Sequence, residues 1–145
     1  MMLSKYFSLE ELTHSDEATR KHIDNTPSAE IVENLRETAM AADRVREFLG
    51  HPILVSSGYR SPKLNAAIGG SKTSSHMQGF AMDTKCPAFG TPRQVFEALK
   101  TSGLFFDQLI LEFPDSPSGG WVHIGFAPEM RNEKLVYDGH AYRVA

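Results

Sequence analysis

The sequence predicts an α+β domain with a mostly antiparallel sheet and flanking helices. Three observations carry this reading. Apolar residues recur at helical spacing between residues 31 and 49, short β-rich runs cluster in the second half of the chain, and Asp138-Gly139 sits between two such runs as a hairpin signal.

Residues 1–25 read as an N-terminal arm packing on a main domain of residues 26–145 that ends in a C-terminal hairpin. Within the arm, Ser8 followed by Glu11 is a capping box that predicts a short helix. Thr26 is the expected N-cap of the long helix, with Pro27 in its first position. Its buried stripe is Ile31, Leu35, Ala39, Ala42, Val45 and Leu49, and Gly50 stops it. Ile53, Leu54 and Val55 predict a strand. Ser61-Pro62 opens a short helix that runs to Ile68 before Gly69-Gly70. Phe80–Thr84 reads as a strand, Thr91-Pro92 opens a helix ended by Gly103, and Phe106–Phe113 and Trp121–Phe126 are two further strands. Asp138-Gly139 predicts a type I′ turn between Leu135-Val136-Tyr137 and His140-Ala141-Tyr142.

Composition narrows the function classes. The chain has 145 residues, 41% hydrophobic and 23% charged, which excludes disordered, collagenous and disulfide-scaffold classes. A domain of this length needs no metal merely to fold, so a metal site would be functional. A net charge of −3 without a basic run argues against nucleic acid and against a membrane surface. The single cysteine, Cys86, excludes an intrachain disulfide and a cysteine-rich zinc site. The first 25 residues lack the apolar core of a secretory signal, so the expectation is cytosolic synthesis with release by another route.

Of six histidines, His76 and His123 stand out by context. His76 precedes the apolar run holding Asp83, where a carboxylate is costly unless it is paired or bound to a cation. Alternation in Trp121–Phe126 places His123 opposite Val122, Ile124 and Phe126. Two imidazoles and a carboxylate make a three-ligand zinc set that leaves one position open for chemistry. A buried His–Asp hydrogen bond fits the same spacing. Cys86 reads as a semi-buried hydrophobe, Asp43, Arg44, Arg46 and Glu47 as a solvated helix face, and His140 as exposed.

The blocks Ser57-Gly58-Tyr59-Arg60-Ser61-Pro62, Asn65, Gly69-Gly70, Ser75-His76-Met77-Gln78-Gly79-Phe80-Ala81-Met82-Asp83 and Trp121-Val122-His123-Ile124 resemble the zinc D-Ala-D-Ala peptidase group. That group includes carboxypeptidases, D,D-dipeptidases and L-alanyl-D-glutamate endopeptidases, and shares the Hedgehog/DD-peptidase fold. The chain is most similar to its short phage and prophage forms. The resemblance implies one Zn2+ held by His76, Asp83 and His123, with Arg60 anchoring substrate or polarising its carbonyl and Ser75 bonding near ligand or substrate.

Many members of the group carry a catalytic carboxylate three residues before the last histidine, where this chain has Gly120. Glu112 is the best substitute. Period two puts Gln108, Ile110 and Glu112 on one face, and a hairpin between the runs around 106–113 and 121–126 would bring Glu112 beside His123. Asp107 and Asp115 are weaker candidates. The expected function is therefore a zinc metallopeptidase, acting as a monomer on peptidoglycan stem peptides, of phage or prophage lytic type. The alternatives are a D-Ala-D-Ala carboxypeptidase and a non-catalytic zinc-containing wall-binding module.

Overall fold

Side-chain caps set where the helices begin. In the computed structural model, which describes residues 1–145, Ser8, Ser15, Ser28, Ser61 and Thr91 each accept a hydrogen bond from the backbone N–H three residues on. They open α1 (Leu9–Thr13), α2 (Asp16–Arg20), α3 (Ala29–Leu49), α4 (Pro62–Ala67) and α5 (Pro92–Lys100). The capping box at Ser8 and Glu11 is present, as is a second one at Thr91 and Gln94. The long helix starts two residues later than Thr26-Pro27 suggests. The Thr26 N–H is already taken by the Asp24 carboxylate in a local turn, and the Ser28 hydroxyl is the one that caps. Gly50 ends α3 at φ 72°, a left-handed conformation that glycine takes at low cost.

Six strands form one sheet in the order β1-β2-β4-β3-β5-β6: β1 (Leu54–Ser57), β2 (Ala81–Lys85), β3 (Gln108–Glu112), β4 (Trp121–Gly125), β5 (Glu133–Tyr137) and β6 (Tyr142–Val144). Every neighbouring pair is antiparallel except β3 and β5. The chain is thus α+β with a mostly antiparallel sheet, as its sequence predicts. Strands β3 and β4 form the expected hairpin. The C-terminal hairpin also forms, but its loop is Asp138–Ala141 rather than a two-residue type I′ turn. The Asp138 carboxylate accepts the N–H groups of His140 and Ala141, which widens the loop, and only Gly139 has positive φ.

One face of the sheet is apolar. Met82, Leu109, Leu111, Val122, Ile124 and Val136 pack there with Leu35, Ala39, Ala42, Val45 and Leu49 of α3 and Val95, Phe96 and Leu99 of α5. Leu3, Phe7 and Leu12 from the N-terminal segment belong to the same core. That segment is tied down by Asp43, whose carboxylate accepts the Ser4 hydroxyl and the N–H groups of Lys5 and Tyr6. Asp43 therefore is not merely solvated, as its helical position suggests. Arg46 also departs from that reading, lying 4.7 Å over the Tyr6 ring. Cys86 is buried among the apolar residues.

The opposite face is left for polar residues, and two features bring loop residues over it. A bulge between Val55 and Ser57 redirects β1 into the segment holding Gly58, Tyr59 and Arg60. A 3-10 turn, Ser75–Gln78, is capped by the Ser74 hydroxyl and closed by Gly79 at φ 78°. The buried Thr38 hydroxyl of α3 donates to the Gly79 carbonyl at 2.7 Å, and the Asn34 amide donates to the Gln78 carbonyl at 2.9 Å. The main helix thereby anchors the turn. Thr38→Val keeps the shape but leaves the Gly79 carbonyl without this donor. It should lower unfolding free energy by about 1–3 kcal/mol, read from urea melts.

Candidate metal centre and active site

Strand register builds the floor of the site. Asp83 of β2 pairs directly with His123 of β4, which pairs on its other side with Ile110 of β3. Directly paired residues share a face, and this face is the one turned away from the core. His76 comes from the 3-10 turn rather than from the sheet. All three side chains are buried, at 2% exposure for His76 and 7% each for Asp83 and His123.

The three converge on one carboxylate oxygen. Asp83 Oδ1 lies 3.2 Å from His76 Nε2 and 3.2 Å from His123 Nδ1, and the imidazole rings meet edge to face with centroids 5.1 Å apart. The other nitrogen of His76, Nδ1, donates to the Gly58 carbonyl at 2.7 Å. That bond places the proton on Nδ1 and turns the bare Nε2 lone pair toward Asp83 when the ring is neutral. Burial holds the His76 pKa down, in favour of the neutral ring, even though Asp83 opposes it. Burial also works against charge on His123, but Asp83 and Glu112 together outweigh it and raise its pKa. Burial works against charge on Asp83, and protonated imidazoles outweigh it, so the carboxylate stays ionised well below its usual range when the rings carry charge.

A bare nitrogen facing a carboxylate at this distance is repulsive unless a proton or a cation lies between them. The ligand atoms of the trio all fall within 4.8 Å of one another. The two separations from Asp83 Oδ1, 3.2 Å each, match the edge of a tetrahedron of ligands about 2.0 Å from a central ion, the spacing that zinc takes with imidazole and carboxylate. The trio fits a zinc ion, and the Gly58 carbonyl is the outer partner that orients its first histidine.

Around this centre, the structure distributes the other candidates unevenly. Glu112 pairs with Trp121, one row along from the Ile110–His123 pair, so it is the diagonal neighbour of His123. Its Oε1 accepts the Trp121 indole N–H at 2.7 Å. Burial and the Asp83 charge raise its pKa. Arg60 is half-buried. Its guanidinium donates to the Ser74 hydroxyl at 3.3 Å, its Nε has no partner, and its charge is felt by Asp83 and Glu112. The Ser75 main-chain carbonyl accepts the Phe80 N–H at 3.1 Å, while its hydroxyl makes no bond within the chain. Asp107 is 1% exposed and locked by the Arg131 guanidinium through two contacts of 3.0 and 2.9 Å. It is not free to act as a base. Asp115 lies in the loop between β3 and β4.

Sequence reasoning missed three supporting groups. The Asn25 amide donates to the carbonyls of Thr13 and Tyr59 and accepts the Ser61 N–H, clamping the loop on both sides of Arg60. Trp121 holds Glu112, and Thr38 holds the turn of His76. Each partner is 9–41 residues away in the chain, so no local motif marks it.

Gly120 has a steric reason to be glycine. It has φ 76°, and a Cβ there would lie 2.0 Å from the Glu112 carbonyl oxygen. No side chain fits at this position without moving the β3–β4 hairpin. Gly120→Asp should therefore destabilise the protein by at least ~2 kcal/mol, measured by thermal or urea unfolding, rather than supply a carboxylate. Purified protein should take up about one zinc ion per chain. His123→Ala, which leaves two ligands, should weaken zinc affinity by at least ~100-fold in a chelator competition. Unchanged affinity would remove His123 from the ligand set.

No curated protein gives a significant match to the chain. Residues 5–124 match the sequence pattern of the family described as Peptidase M15. The matched span includes α1, α3, the 3-10 turn and strands β1 to β3, and it contains all three members of the buried trio. By this match, and with a His–Asp–His group able to hold the metal on which M15 peptidases depend, the chain belongs to the Peptidase M15 family.

Proposed function

We propose that the protein hydrolyses a peptide bond in peptidoglycan stem peptides, as a zinc endopeptidase of the Hedgehog/DD-peptidase fold and of phage or prophage lytic type. The observation that carries this reading is the buried trio with a carboxylate, Glu112, one row away in a chain of the M15 family. When bound, zinc supplies the Lewis acidity for hydrolytic attack on a carbonyl.

The chain's own residues supply the rest. Trp121 fixes one oxygen of Glu112, which leaves the other to take a proton from the attacking water and return it to the leaving amine. The burial that raises the Glu112 pKa strengthens it as a base. Arg60, with an unpaired buried Nε, binds a substrate carboxylate or the oxygen that gains charge. The unbonded hydroxyl of Ser75 faces the same task of holding substrate. The protein acts as a monomer on the cell wall after release from the cytoplasm in which it is made.

Glu112→Gln tests the mechanism. It preserves size and leaves the trio intact, so zinc content and melting temperature should hold. Activity on purified sacculi should fall by ~10²–10⁴-fold. Near-normal activity would move the base elsewhere. Mass spectrometry of the wild-type digest identifies the bond. Release of a terminal D-alanine alone would replace the endopeptidase reading with a D-Ala-D-Ala carboxypeptidase. Absence of any cleavage with zinc bound would leave a wall-binding module.

A further inference from the structure

The β5–β6 hairpin lies beyond the residues matched to the family and extends the sheet past Glu112. Register sets Trp121, Glu112, Tyr137 and Tyr142 in one row on the face that carries Asp83 and His123. Phe113 joins this row, with its ring 5.0 Å from Trp121 and 5.4 Å from Tyr137. Its φ of 53° departs from strand geometry and breaks the alternation that would send it to the other side. Tyr142 stacks on Tyr137 with centroids 4.4 Å apart, yet it is 56% exposed on a three-residue edge strand.

The chemistry of this surface is distinct from that of the metal centre. Burial, and then the Glu112 charge, raise the Tyr142 pKa, so the phenol lies within electrostatic reach of that carboxylate. The next row pairs Leu135 with an exposed Val144, and neither carries charge. Glu133, one row further, is engaged by Gln108 and Arg131. Arg143 pairs with Val136 and therefore belongs to the opposite face. The hairpin thus continues the site as rings and aliphatic groups, while the cation facing Asp83 and Glu112 is Arg60.

We propose that Tyr137 and Tyr142 form a substrate subsite for an uncharged, C–H-rich portion of a peptide chain, held by ring contact and a phenol hydrogen bond. This rests on the peptidase reading above. Strands lie about 4.8 Å apart, so Tyr142 stands two strands, or ~10 Å, from Glu112. An extended peptide covers that distance in about three residues. The subsite therefore reads substrate two or three residues from the bond that is cut, and Arg60 takes any carboxylate.

The test compares the zinc-loaded protein with Tyr142→Ala and Tyr142→Phe on an intact muropeptide and on a short peptide spanning only the cleaved bond. Affinity for the intact muropeptide is measured in parallel by calorimetry. Tyr142→Ala should raise KM for the muropeptide by about 5–10-fold, with kcat and the short-peptide kinetics unchanged. Tyr142→Phe should recover most of the loss, because the ring is retained. Since Tyr142 is largely exposed, the melting temperature should not move. Equal KM and affinity in wild type and Tyr142→Ala would overturn the subsite, as would failure of the wild type to bind muropeptide. Binding that depends on Tyr142 without cleavage of any bond would support the subsite and overturn the peptidase reading.

Discussion

The pairing of Asp83 with His123 across β2 and β4 is the constraint on which the rest of the site depends. Side chains alternate along a strand, so a slip of one residue in either strand would send one of these groups into the apolar layer. Met82, Val122 and Ile124 prevent that slip. They sit between the polar residues and are fully buried against α3 and α5. The hydrophobic pattern that stabilises the sheet is also what brings a carboxylate and an imidazole together on its other side.

His76 enters from outside the sheet, and its position is fixed by a different set of forces. Thr38 and Asn34 of α3 hold the carbonyls that end its turn, while the Gly58 carbonyl accepts the hydrogen bond from its Nδ1. Gly58 in turn packs so closely on α1 that a Cβ there would lie 2.4 Å from the Leu12 carbonyl oxygen. The N-terminal segment thus supports the surroundings of the His76–Asp83–His123 trio. Through Asn25 it also supports the loop that presents Arg60. These hydrogen bonds act on groups with little freedom left, which is how a site of loop residues is held to the accuracy that metal binding needs.

Gly120 and Glu112 illustrate how backbone geometry redistributes chemistry. The tight return of the chain from the β3–β4 loop places Gly120 in left-handed conformation against the carbonyls of Glu112 and Phe113. A carboxylate cannot be carried there. The same hairpin sets Glu112 opposite Trp121 and diagonal to His123, so a carboxylate reaches the neighbourhood of the buried trio from the adjoining strand.

Much of this was legible in the sequence, for local reasons. Caps, glycine stops and the helical stripe of residues 31–49 depend on neighbours within a few positions, and they set α1, α3, α4 and α5 to within two or three residues, whereas the one-turn α2 behind Ser15 carries no apolar stripe and escapes that reading. Alternation within 106–113 and 121–126 suffices to set Glu112 opposite Leu109 and Leu111, and His123 opposite Val122 and Ile124. Tertiary structure decided the rest. The parallel pairing of β5 with β3, the grip of α3 on the turn of His76, the locking of Asp107 by Arg131 and the row from Trp121 to Tyr142 all join residues distant in the chain. Local propensity cannot specify such contacts. They form only when burial of the apolar face fixes the register of the whole sheet, and with it the neighbours of every side chain on the other face.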